Sequence, residues 1–127
     1  MIQALLVSSD KNRLSNLEAV LSENKVATAR AASGFEALSS MAEQHYDLVA
    51  ADEQLPDMSG LELAEKALLK HPMSNFAVVS ALPREDFHEA SEGMGILMQL
   101  SPETDRDEAG MLLDHLKSIL RLMGTSA

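Results

Sequence analysis

The chain has 127 residues, 46% of them hydrophobic but only 3% aromatic, and its 20 acidic against 10 basic side chains give a net charge of −10. That length suits one domain with a core of Leu, Val, Ala and Met, while the charge repels phosphate backbones and anionic lipid, arguing against nucleic acid or a membrane as direct partner. There is no Cys, no basic leader with an apolar stretch, and no apolar run long enough to span a bilayer, so a cytoplasmic location is expected.

Ile2 to Val7 reads as a buried strand, and Leu14, Leu17, Val20 and Leu21 follow at helical spacing. Val26 to Ala31 is a second, weaker strand. Ser33 and Glu36 then form a capping-box pattern opening a helix with Phe35, Leu38, Met41 and Ala42 on one face. Leu48 to Ala51 is the third strand, and Ser59 with Glu62 repeats the capping pattern before a helix with Leu61, Ala64, Leu68 and Leu69 inward. Phe76 to Ala81 is the fourth strand. Pro83 starts an acidic helix reaching about Ser91. Ile96 to Leu100 is the fifth strand, Pro102 interrupts the chain, and a last helix runs from about Asp105 to Met123 with Ala109, Leu112, Leu113, Leu116, Ile119, Leu120 and Met123 recurring on one side. Gly124 to Ala127 reads as a loose tail, leaving 1–123 as a single domain.

Alternating strands and helices, with the strands apolar on both faces, predict a parallel sheet with right-handed crossovers in a three-layer α/β/α architecture. Chemistry in such sheets sits at the carboxyl ends of the strands. The residues there are Ser8 and Ser9, Asp52, Ser80 and Ser101, after strands one, three, four and five respectively.

With these positions laid out, the chain resembles the receiver domain of two-component response regulators along nearly its whole length. Residues 52–60 (DEQLPDMSG) resemble the family's phosphoacceptor segment, 76–81 (FAVVSA) its fourth strand, and 34–38 (GFEAL) the start of its second helix. The resemblance implies a flavodoxin-like sheet in the order 2-1-3-4-5, with Asp52 as phosphoacceptor, Ser80 as the hydroxyl that senses the phosphoryl group, and Pro102 as the proline after the family's lysine, usually across a cis bond. Four positions depart from the pattern. Ser8 and Ser9 stand where the family has an acidic pair, Ser101 where it has the lysine, and Met98 at the aromatic switch position.

The departures remove the anchors of both cations that offset an aspartyl phosphate, the magnesium ion and the lysine ammonium. The expectation is therefore a degenerate, or pseudo-receiver, protein interaction module of a phosphorelay. It is not an enzyme, needs no cofactor and has impaired Mg²⁺-dependent phosphorylation. The alternative is a working receiver phosphorylated on Asp52 by a histidine kinase, with Asp10 or Glu53 standing in for the missing acids and Mg²⁺ on Asp10, Asp52 and the Gln54 carbonyl. Partners on either reading are a histidine kinase, an output domain or another signalling protein. A homodimer through the face formed by the fourth helix, fifth strand and fifth helix is a further expectation, since Met94, Met98 and Met111 fall there and Met adapts to protein contacts.

Several residues also have structural readings. Asp52 can simply start the Pro turn that follows it, and Asp10 reads as the N-cap of the first helix, with a substitute ligand as the other possibility. Strand alternation points Glu53 away from Asp52. Glu85, His88, Glu89 and Glu92 share a helical face that reads as solvated, and His45, His71 and His115 are scattered.

Overall fold

The computed structural model describes residues 1–124, so the expected tail beyond Gly124 lies outside the described residues. The elements are β1 (Gln3–Val7), α1 (Ser15–Glu23), β2 (Ala27–Ala31), α2 (Gly34–Glu43), β3 (Leu48–Ala51), α3 (Gly60–Lys70), β4 (Asn75–Val79), α4 (Arg84–Ala90), β5 (Ile96–Leu100) and α5 (Arg106–Leu122). All strand pairs are parallel and the sheet order is β2-β1-β3-β4-β5, the flavodoxin-like order expected from the sequence.

The central strands β1, β3 and β4 are buried almost throughout, as a sheet covered on both faces requires. Edge strand β2, with its ATARA sequence, is half exposed. Side chains from alternate strand positions feed two separate cores. One joins Ala4, Leu6, Leu48 and Ala50 to the inner faces of α1 and α5; the other joins Leu5, Val7, Val49 and Ala51 to α2 and α3. α4 contributes one buried side chain, Phe87.

The helix faces differ in part from the sequence reading. In α2 the buried positions are Gly34, Ala37 and Met41, whereas Phe35 is 71% exposed and Ala42 also faces out. The cause is Gly34, whose missing Cβ leaves room for the Met58 side chain, so the helix seats on its glycine and turns Phe35 to solvent. α3 behaves alike: Gly60, Leu63, Ala64 and Ala67 are buried while Leu69 is 86% exposed. The Ser59–Glu62 capping box is complete; at Ser33 the hydroxyl accepts from Glu36 N–H, but no return bond from the Glu36 side chain forms. Asp10 does not cap α1. Its Oδ1 accepts from Asn12 N–H (2.9 Å), closing a turn, and the chain then passes through Leu14 in the left-handed region (φ 69) before the helix begins at Ser15.

Candidate functional site

Backbone pairing carries the site one residue past each central strand. Ser8 N–H donates to Ala31 O (3.0 Å), Asp52 N–H to Val7 O (2.8 Å) and Ser80 N–H to Leu100 O (2.9 Å), so these residues extend the ladder at the carboxyl edge of the sheet. Because Val7 pairs with Ala51, extending that register by one step sets Ser8 beside Asp52 on the same face. α3 closes the other side. A Cβ on Gly60 would run into the Asp52 carbonyl, so only glycine lets the helix start so close to this residue.

Asp52 is 6% exposed, and each of its carboxylate oxygens has a protein partner. Oδ1 accepts from Glu53 N–H (2.8 Å), and Oδ2 accepts from the Ser8 hydroxyl (2.9 Å). A guanidinium completes the set: Arg13 Nε stands 3.4 Å from Oδ2, while its Nη1 donates to Pro102 O (2.6 Å) in the β5–α5 loop. A buried carboxylate with hydrogen bonds and one counterion is the arrangement that low-dielectric surroundings demand.

The other anticipated residues divide. Ser8 reaches Asp52, whereas Ser9 is exposed. Ser80 is buried, and its hydroxyl accepts from Leu82 N–H (3.1 Å), bracing the start of the β4–α4 loop. Ser101 turns to α5: its N–H and its hydroxyl both donate to Glu108 Oε1 (3.0 and 2.8 Å). The Ser101–Pro102 peptide is trans, contrary to the isomer the resemblance implied, since no described residue has a cis bond. Pro102 contributes its carbonyl. Asp10 is spent on its own turn, and Glu53 accepts from Ala81 N–H (2.8 Å) on the β4–α4 loop. Gln54 is exposed in the short bridge it makes with Ser59, and Met98 is half-buried against the α1/α5 core. Glu85, His88, Glu89 and Glu92 are all exposed. Among the described residues no three acidic, His or Cys side chains converge as a metal site would require, and no helix is long and apolar enough to cross a membrane.

Besides Glu108, three participants were not anticipated. Arg13 is one; a lone Arg in the loop leaving β1, next to the acceptor strand, was the available signal. Gln99 is the second, its amide donating to Ser80 O (3.2 Å) and Leu82 O (2.9 Å). Asp57 is the third. Its carboxylate takes both Gly34 N–H and Phe35 N–H (2.9 Å each), tying the loop after Asp52 to the start of α2. These two amide bonds, Gly34 first, hold the Asp57 carboxyl below its ordinary pKa.

The family model for the response regulator receiver domain matches residues 4–108. The response regulator protein PilR of Pseudomonas aeruginosa is 33% identical over 125 residues, covering 98% of this chain. The chain spans 27% of that relative's length. Among solved structures, the signal receiver domain of an HD domain-containing protein from Pseudomonas fluorescens superposes with a TM-score of 0.84 at 24% identity, covering 96% of this chain and 90% of that one. A response regulator receiver domain protein from Methanospirillum hungatei gives 0.81 at 23% identity, with 98% and 97% covered. At these identities the superpositions speak for the fold alone.

Proposed function

The chain belongs to the response regulator receiver domain family, and we propose that it acts there as a phosphorylation-independent interaction module, a pseudo-receiver whose pocket keeps the acceptor without the reaction. One observation carries this reading. Asp52 is the single carboxylate in its own hydrogen-bond set, both of its oxygens are occupied by protein donors, and a protein cation already stands beside it.

The residues present do not fit a magnesium ion. Magnesium demands near-octahedral oxygen ligands anchored by carboxylates. Here Ser8 supplies a neutral hydroxyl, Asp10 and Glu53 are committed to backbone amides, and Gln54 is held in a loop bridge. The phosphoryl group would also arrive without the lysine ammonium, since Ser101 is bound to Glu108. On this reading the module is non-catalytic and needs no cofactor. It docks to a kinase, an output domain or another signalling protein in the cytoplasm through a preset surface; the half-buried Met98 and exposed Met111 make the α4/β5/α5 face the first surface to test, for a second copy included.

A phosphorylatable receiver is the rival, favoured by the retained Asp52 and by the positive charge of Arg13. Incubation with acetyl phosphate and millimolar Mg²⁺, read by intact mass, separates the two. The expected result is an unchanged mass. Stoichiometric phosphorylation lost in Asp52→Asn would refute the proposed function in favour of its rival.

A further inference from the structure

We infer that Arg13 is the resident counterion of this pocket: it stands at the carboxylate where a divalent cation would have to bind, and it latches the loop after β1 to the β5–α5 loop across the tip of β3. This deepens the reading above and rests on it.

The backbone of Arg13 is held from both sides. Its N–H donates to Asp10 O (3.1 Å) and its own carbonyl accepts from Arg30 Nη1 (3.1 Å), with Arg30 in turn paired to Glu18 (3.2 Å). The next residue, Leu14, is buried in the α1/α5 core, so the turn cannot swing outward without exposing it. From this root the guanidinium uses two edges of its planar fork, Nε toward Asp52 and Nη1 toward Pro102 O. A guanidinium is charged at every working pH and has the geometry to bridge two acceptors; an ammonium or a bound ion would be a point charge.

The exclusion follows from the same contacts. A metal ion needs an Asp52 oxygen; Oδ1 already accepts from Glu53 N–H, and reaching Oδ2 means displacing a cation that is covalently part of the chain. Neutral Ser8 offers too little to repay the displacement. On the far rim Glu53 bonds Ala81 N–H and Gln99 bonds two carbonyls of the β4–α4 region, so that loop is tied to β3 and β5 as well. Side-chain bonds thus brace the rim on both sides.

The test is a double-mutant cycle in the full chain with Arg13→Gln, Asp52→Asn and the pair, with Arg13→Lys as control. In urea unfolding each single change should lower the folding constant about tenfold, and the pair should cost no more than the worse single, a coupling of about tenfold. Amide exchange at Glu103 and Thr104, beyond the Pro102 carbonyl, should quicken in Arg13→Gln and Asp52→Asn, and in Arg13→Lys, which keeps the charge but not the fork. Mn²⁺ titration should show at least about tenfold tighter binding for Arg13→Gln than for wild type or Arg13→Lys, and the gain should vanish in the pair. Additive stabilities, or Mn²⁺ affinity indifferent to Arg13→Gln, would overturn the latch. Either result would leave the unphosphorylated reading standing, whereas phosphorylation of the wild-type chain would sink that reading and leave the cycle intact.

Discussion

Replacing Ser8 by Asp puts the missing acid back at the one position where the structure gives its cost. The Ser8 hydroxyl lies 2.9 Å from Asp52 Oδ2 in a buried setting. A carboxylate there would bring two negative charges to within about 4 Å, worth about 4 kcal/mol of repulsion at an effective dielectric near 20. Arg13 relieves part of this, but its side chain is 35% exposed, so solvent screening reduces its help to roughly 1 kcal/mol. The net expectation is a loss of about 2–3 kcal/mol at neutral pH and low salt, which is about 10 °C in Tm for a chain of this size. Urea unfolding with an unchanged slope measures it, and millimolar Mg²⁺ should return part of the loss only once Arg13→Gln is added to the variant, leaving wild type unaffected. Ser9→Asp, on an exposed side chain, is the control and should stay within about 0.5 kcal/mol. A Ser8→Asp protein as stable as wild type without metal would refute the electrostatic reasoning.

Gly60→Ala sets a methyl against the Asp52 carbonyl, so α3 must shift; the expected loss is about 1–3 kcal/mol in urea unfolding, with altered amide resonances at Asp52 and Glu53. Asp57→Asn tests the tie to α2. Because the folded carboxyl titrates below its ordinary value, its stabilisation is present at neutral pH and fades as pH falls below about 4, through the depressed folded pKa. The variant should therefore be less stable at neutral pH and show a shallower acid limb in melts taken stepwise downward; an unchanged limb would remove Asp57 from that role.

The strands were legible because strands of a covered parallel sheet are short apolar runs between turn signals, and β3 and β5 fall on the very residues read from the sequence. Helix existence was equally plain, but helix facing was not. Counting large apolar side chains put Phe35 and Leu69 inside, whereas Gly34 and Gly60 decide the seating through what their missing Cβ atoms admit. In the site, the row of strand-end residues was visible and the bonds between them were not. Ser101 looked like a pocket residue until Glu108, seven positions on, captured it from the first turn of α5. Arg13 escaped because it lies in consecutive turns, where periodicity carries no information and direction depends on one left-handed residue, Leu14.

That miss alters the charge argument itself. From sequence, losing the acidic pair and the lysine left a lone Asp52, a pocket short of both cations. In the structure Asp52 and Arg13 form a pair of opposite charge with Ser8 between carboxylate and loop, so the local charges balance without any ion from solution. The balance constrains the reverse path. A lysine at position 101 would emerge beside Glu108, which already draws Ser101 to α5, and would be held there as long as that carboxylate remained. An acid at position 8 would meet Arg13 before it met a metal. Receiver chemistry could not then be restored by the acids and the lysine alone, because Arg13 holds the Asp52 oxygen that a metal would need and Glu108 would pair with the lysine.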